Sequence, residues 1–285
     1  MTRRKIWLLI AGVVAATAVA GLIVVVSHTA EPKTEVQVWW IFTDPHVGRY
    51  PFLGEGIGEK PVEPLEAAVR DVNELGIADY ALCLGDMVSD VADYAPIFVG
   101  MMDNLNVKRW YYILGNHDHD WETGENVLPT VYEGFDVLGI RFILISDEMG
   151  YKNGTHISGG VMRENQFDWF FKELYLHRDQ PVFVFSHQPY FQWDVWDKLP
   201  IATPGEVRVD IWFSGHLHVW AIDENTDYGF FWFGVNSIDW ANNYESIFLF
   251  IERTGGEVKM TVKARNHLDR VWLDEPYYEF TFEVS

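Results

Sequence analysis

The chain has 285 residues, 48% apolar and 16% aromatic, enough for one large core and too rich in apolar groups for a disordered protein. Its formal charge is −21, from 42 acidic and 21 basic residues, with no Lys/Arg cluster beyond residue 5, so a nucleic-acid partner is not expected. Cys83 is the only cysteine, which excludes an internal disulfide and a thiolate metal cluster. Within Tyr80-Ala81-Leu82-Cys83-Leu84 it reads as a small buried hydrophobe.

Arg3, Arg4 and Lys5 precede residues 6–26, an apolar run of 21 residues with no charge. As a helix it would span about 31 Å, close to the hydrocarbon thickness of a bilayer. Two readings compete. A cleaved signal peptide could end near Ala18-Val19-Ala20, but the apolar run continues through Gly21 to Val26 and exceeds the usual signal length. An uncleaved transmembrane anchor is therefore the expectation, with residues 1–5 as a cytoplasmic basic tip and 27–35 as a polar stalk. Basic residues on the N-terminal side alone orient the folded domain, 36–285, outward. The expected location is the membrane with an extracytoplasmic domain, or secretion if the segment is cleaved.

The first strand-like run, 36–42, is β-branched and aromatic and ends in Thr43-Asp44-Pro45-His46. A glycine-rich loop follows, and then a helix starting near Pro64 with Leu65, Val69, Val72 and Leu75 at helical spacing. Gly76 is its expected stop. The run 80–84 ends in Gly85-Asp86, and 92–105 reads as a second helix. The run 110–114 ends in Gly115-Asn116-His117-Asp118. This β-α-β-α-β rhythm implies parallel strands whose carboxyl ends gather a ligand. Next come a strand at 141–146 and a helix at 165–174 with Phe167, Phe170 and Phe171 inward. The strand at 181–185 ends in Ser186-His187-Gln188-Pro189, and that at 209–213 ends in Ser214-Gly215-His216-Leu217-His218. Asn153-Gly154-Thr155 is a formal glycosylation sequon. Runs at 228–235, 246–252, 258–264 and 278–284 are strand-like, with Thr254-Gly255-Gly256 as a hairpin turn and mostly antiparallel pairing expected.

Five strand-like runs thus end in polar, lone-pair-rich turns: Asp44 and His46; Asp86; Asn116 and His117; His187; His216 and His218. Five of the ten histidines lie in these turns. His28, His156, His177 and His267 read instead as surface or satisfied core groups. Carboxylate, imidazole and amide oxygen together suit Zn, Mn or Fe better than calcium or a soft copper site.

In this order the motifs Asp44-x-His46, Gly85-Asp86, Gly115-Asn116-His117-Asp118, His187 and Gly215-His216-x-His218 resemble those of the calcineurin-like metallophosphoesterases. The resemblance spans residues 38–218. It implies a four-layer αββα sandwich of two mixed β-sheets, an α/β fold, with the motif loops lining one edge and binding two metal ions, Mn, Fe or Zn. It assigns Asp44, His46 and His218 to one metal and Asn116, His187 and His216 to the other, with Asp86 bridging. Two divalent ions about 3.5–4 Å apart repel strongly, so a shared anion suits the arrangement. A water bridging them would lose a proton near neutral pH and attack phosphorus in line. The resemblance makes His117 the catalytic group that protonates the leaving oxygen, with Asp118 orienting its ring. His119 and Asp120 read as loop residues, with a supporting role behind the ligands open to both.

Purple acid phosphatases carry a tyrosine three residues after the Gly-Asp aspartate and lack the first-motif histidine. Here Ser89 and His46 stand there, so the pattern is more similar to the cyclic-nucleotide phosphodiesterase-like branch. Arg49 either contacts phosphate or is a solvated loop residue. Tyr190, Trp193 and Trp196 either meet substrate or pack locally, and packing is expected in a chain with 13 tryptophans. The expected activity is hydrolysis of a small-molecule or lipid phosphate ester, monoester or diester. The alternatives are an inactive scaffold of the same fold, a nuclease, which the acidic balance disfavours, and an anchored lipid or cell-envelope phosphodiesterase.

Overall fold

The computed structural model describes residues 32–48, 62–89, 91–120, 122–148, 151–152, 155–156, 160–193, 206–225, 229–238 and 244–284. Residues 6–26, His28, Arg49, Asn153, Gly154 and Trp196 lie outside them. Two units separate along the chain, Met1–Thr34 and Glu35–Ser285, and the second carries both sheets. Among the described residues no helix is long and apolar enough to cross a membrane.

Strand alternation decides what faces what. In β1 (Thr34–Phe42), Trp39 and Ile41 enter one core while Val38, Trp40 and Phe42 enter another. Helix α1 (Glu63–Leu75) carries Pro64 in its first turn and stops where Gly76 turns left-handed at φ 61°. Then come β2 (Tyr80–Cys83), α2 (Ala95–Met102) and β3 (Arg109–Tyr112). β1, β2 and β3 pair in parallel, as the β-α-β-α-β rhythm requires. Next are β4 (Glu133–Val137), β5 (Ile140–Leu144), a two-residue hairpin β6 (Tyr151–Lys152) and β7 (Thr155–His156), and α3 (Glu164–Leu176). The chain continues through β8 (Val182–Ser186), β9 (Ile211–Ser214), β10 (Ala221–Asn225), β11 (Phe230–Gly234), β12 (Glu245–Thr254), β13 (Glu257–Asn266) and β14 (Val271–Glu283).

Two six-stranded mixed sheets result, ordered β14-β13-β12-β1-β2-β3 and β10-β11-β9-β8-β5-β4. Their inner faces share one core: Trp39, Ile41, Leu249 and Val262 from the first sheet meet Phe142, Phe183, Phe185 and Phe213 from the second. On the outer face of the first sheet, Trp40, Phe42 and Cys83 pack with Leu65 and Val72 of α1 and Phe98 of α2. On the outer face of the second, Ile143, Val184 and Trp212 pack with Phe170 and Leu174 of α3.

The structure departs from expectation in four places. The second predicted helix opens as a 3₁₀ turn at Ala92–Tyr94 and is α-helical only over Ala95–Met102. Phe171 is exposed, because a helix on a sheet buries one stripe, which Phe170 and Leu174 occupy. β11 runs parallel to β9 rather than extending an antiparallel block. The strands β4 and β10 do not stand out in the sequence. Both are edge strands of the second sheet, where Asp136, Asp223 and Glu224 face water and dilute the apolar pattern.

One polar cluster ties α1 to the first sheet. Arg265 donates to both oxygens of Asp71 at 2.6 and 2.7 Å. His267 Nδ1 lies 2.8 Å from Asp71 Oδ2 and its Nε2 lies 2.7 Å from Ser246 Oγ, which also accepts from Trp40 Nε1. His267 is therefore the satisfied core histidine expected. Burial works against ionisation of Asp71, but Arg265 and His267 bring its carboxyl down to about 2, from 3.8. A folded value below the unfolded one means that this stabilisation is complete above about pH 4 and is lost as pH falls toward 2. Asp71→Asn strands Arg265 and should lower the unfolding free energy by about 3 kcal/mol near neutral pH. Urea melts from pH 2 to 7 should also show a flatter acid limb in the variant.

Candidate metal centre

Each candidate residue stands just past the carboxyl end of a parallel strand. Asp44 and His46 follow β1, Asp86 follows β2, Asn116 and His117 follow β3, His187 follows β8, and His216 and His218 follow β9. Backbone bonds lace the turns together: Asp44 N to Gly85 O at 3.0 Å, His46 N to Asp86 O at 3.0 Å, and Gly215 N to His187 O at 3.0 Å. The first two tie turns of the first sheet and the third ties turns of the second, while His187 Nδ1, 2.8 Å from the Leu84 carbonyl oxygen, spans the two sheets at this edge.

The backbone there is strained. Eight described non-glycine residues have positive φ, and five of them are Asp44, His46, Asp86, His216 and His218, at φ 42° to 67°. Left-handed backbone at a side-chain-bearing residue costs on the order of 1–3 kcal/mol and persists where its surroundings enforce it. The cost is concentrated on residues that carry lone pairs.

Those residues meet. Single ligand atoms of Asp44, His46 and His218 lie within 4.8 Å of one another, as do those of Asp86, His187 and His216. Asp44 Oδ1 is 3.0 Å from His218 Nε2. Asp86 Oδ2 faces both groups, 3.7 Å from His46 Nε2 and 3.1 Å from His187 Nε2. Asn116 Oδ1 is 3.1 Å from His187 Nε2. His117 belongs to neither triad; its half-buried ring stands 5.3 Å from that of His46, and its amide donates to Asp86 Oδ1 at 2.8 Å.

The electrostatics call for cations. Asp44 and Asp86 are fully buried, and the ion pairs that the described residues make to them all come from histidines. Burial opposes their ionisation, yet the surrounding imidazoles, His187 foremost, hold both carboxyls below the usual range. Burial would likewise depress His187, but Asp86 and Asp44 push it up to about 10. The proton on that ring is the positive charge a metal would displace. Burial takes His46 and His216 down to about 4, so both are neutral at pH 7, the state in which imidazole ligates. Two anions, neutral imidazoles and an amide oxygen in two facing groups fit two borderline divalent ions.

Asp118 has a different task from the one expected. Its Oδ1 accepts the amides of Met87 and Val88 at 2.8 and 3.1 Å, and its Oδ2 accepts the Gly115 amide at 2.8 Å. The buried carboxyl group thereby clamps the Asp86 turn to the Asn116 turn. Burial, reinforced by the charge of Asp86, raises its pKa to about 8 against the pull of those amides, so near pH 7 it is mostly the neutral acid. Asp120 caps its own turn through Thr123 and Glu122. Tyr190 and Trp193 pack, as expected: Tyr190 lies edge-on to Phe230, and Trp193 donates to the Gln188 carbonyl at 3.2 Å.

Two polar neighbours escaped the sequence reading. Gln188 donates to Asn116 Oδ1 at 2.9 Å, and Thr43 donates to Asp44 Oδ2 at 2.6 Å. Their only sequence signal is adjacency to His187 and Asp44. The glycines also matter sterically. A Cβ on Gly115 would fall 2.6 Å from the Asp86 amide nitrogen and 2.8 Å from His187 Cγ. Gly115→Ala should therefore cost about 2 kcal/mol and weaken metal retention; thermal melts with and without added Mn would measure both effects.

A family model described as calcineurin-like phosphoesterase matches residues 39–220. Among solved structures, a dimetal phosphatase from Danio rerio superposes with a TM-score of 0.58 at 14% identity, covering 87% of this chain and 99% of its own. Purple acid phosphatase PPD1 from yellow lupin superposes with a TM-score of 0.57 at 15% identity, covering 88% of this chain and 54% of its own. The chain thus spans about half of the lupin enzyme's length, and at such identities the likeness is one of fold. Among curated proteins none matches the sequence. With the family model covering more than half of the chain, the protein belongs to the calcineurin-like phosphoesterases, hydrolases of phosphate esters.

Proposed function

We propose that the protein hydrolyses a phosphodiester or phosphomonoester at a dinuclear metal site. Asp44, His46 and His218 would hold one ion, Asn116, His187 and His216 would hold the other, and Asp86 would be shared between them. The observation that carries this reading is the position of Asp86 Oδ2, which faces His46 of one triad and His187 of the other. When bound, the two ions would supply the Lewis acidity that lowers the pKa of a water and neutralises the phosphoryl oxygens.

The chain's own residues do the rest. Neutral Asn116 completes its triad without adding charge, and Gln188 fixes the direction of its amide oxygen. His117, outside both triads, holds a proton for the departing alkoxide. The peptide N–H of His117 to Asp86 Oδ1 keeps that ring beside the shared carboxylate.

Ser89 stands where purple acid phosphatases have tyrosine, and its hydroxyl donates to the His46 carbonyl at 3.1 Å. This supports the cyclic-nucleotide phosphodiesterase-like pattern over the purple one. The charge-free run at 6–26 behind Arg3, Arg4 and Lys5 supports a membrane anchor that holds the catalytic unit outside the cytoplasm. The test is a panel assay of the protein with Mn, Zn or Fe against p-nitrophenyl phosphate, its bis ester, cyclic nucleotides and phospholipid headgroups. Hydrolysis of at least one ester with metal, abolished by chelator, is the expected result. No turnover with any metal would favour a binding protein on the same fold.

A further inference from the structure

A cavity of 340 Å³ opens between β10 and β14, edge strands of the two sheets, lined by Trp220, Ile222, Glu275, Pro276, Tyr277 and Tyr278. Its first wall residue, Trp220, is two positions beyond His218, so at most about 7 Å of chain separates it from a ligand of the metal centre. Trp220 is held from behind. Its indole N–H donates to Glu245 Oε2 at 2.7 Å, and the same oxygen accepts from Asn236 Nδ2 at 2.8 Å. The strap continues through Ser237 to Ile238, whose amide bonds the carbonyl of Thr43 beside Asp44. Among the described residues no other ring packs on the Trp220 indole. Trp220 is half-buried and packs partly against the core between the sheets. The part of the indole that lines the cavity, braced through its N–H by a buried carboxylate, presents an electron-rich surface, and such surfaces attract cations.

The charges around the cavity agree. Glu275 is exposed at its rim, Glu245 lies behind the indole, and the chain as a whole carries −21. Rings on this edge already receive cations: Lys263 Nζ lies 5.5 Å from the Tyr277 centroid, and the Arg265 guanidinium 5.1 Å from that of Trp272. Tyr277 is thus engaged by Lys263, and the receptive surface falls to Trp220 and Tyr278 with Glu275 at the mouth. Glu275 at the mouth and Glu245 behind the indole favour a cationic group over an anionic one beside Trp220.

We propose, resting on the phosphoesterase reading above, that this cavity takes an ammonium group carried by the substrate's alcohol. The substrate class is then phosphate esters of amino alcohols, zwitterions whose phosphate goes to the metal centre and whose ammonium goes to the aromatic cavity. Polyanionic substrates are disfavoured by the same charges.

The test begins with binding, which does not depend on turnover. The full chain in a nonionic detergent is titrated calorimetrically with choline chloride and with its neutral isostere, 3,3-dimethylbutanol. Choline should bind about tenfold more tightly than the isostere. Glu275→Gln, a change at an exposed site, and Trp220→Phe should each reduce that preference severalfold. Equal affinity for both probes, or no detectable choline binding, overturns the proposal. With Mn added, kcat/KM for p-nitrophenylphosphorylcholine relative to bis-p-nitrophenyl phosphate should fall in both variants. An unchanged ratio with active enzyme also overturns the proposal and leaves the phosphoesterase reading intact. Choline binding sensitive to Glu275 without hydrolysis of either ester would support the cavity and overturn the phosphoesterase reading instead.

Discussion

Asp86→Ala is expected to empty both metal positions at once and to reduce turnover to background. Its Oδ2 stands 3.7 Å from His46 Nε2 and 3.1 Å from His187 Nε2, so one carboxylate serves both triads. Two cations brought side by side repel, and removing the anion between them destabilises each. A ligand that served a single site would release a single ion. Asp86 is also among the carboxylates that keep His187 protonated without metal, so its loss should lower the His187 pKa from about 10. Elemental analysis of purified protein reads the result directly. Asp86→Asn, nearly isosteric, separates a metal effect from a folding effect. Two metals retained per chain in either folded variant would remove the shared role.

The second large effect is expected at His117. His117→Ala should keep both metals and lose about 10²- to 10⁴-fold in kcat, the usual range for a positioned general acid. The ring lies outside both triads, 5.3 Å from the ring of His46, and its backbone rather than its imidazole holds Asp86. Esters with good leaving groups need little protonation of the departing oxygen. The loss should therefore be smaller for p-nitrophenyl esters than for alkyl esters, a contrast that a ligand defect would not produce. Equal losses on both substrate types, or loss of metal, would assign His117 to another role.

The centre was legible in the sequence because its chemistry forced unusual residues into unusual places. Apolar runs that end in Gly-Asp, Gly-Asn-His-Asp or Gly-His-Leu-His combine turn-forming glycine with lone-pair donors, and all of these fall at strand ends at one edge. The glycines are needed because the turns touch: a Cβ on Gly115 would press on Asp86 and His187. Helix α1 was equally plain, with Pro64 opening it and Gly76 closing it.

What stayed hidden depends on tertiary context. β4 and β10 carry edge charges that mask their pattern. The exposure of Phe171 depends on how α3 rotates over its sheet, which local periodicity alone leaves undecided among Phe167, Phe170 and Phe171. Asp118 looked like a partner for the neighbouring imidazole, but three backbone amides from two turns converge on its carboxyl group. Only the folded chain brings Met87 and Val88 to it. Gln188 and Thr43 likewise acquire their tasks from contacts across strands or from a side-chain rotamer, and neither is written in residue spacing.

The most direct test of the dinuclear account is anomalous diffraction from crystals of the protein grown with manganese. Two peaks per chain are predicted, one contacted by Asp44, His46 and His218, the other by Asn116, His187 and His216, with Asp86 touching both. A single peak, or two peaks of which Asp86 contacts only one, would contradict it.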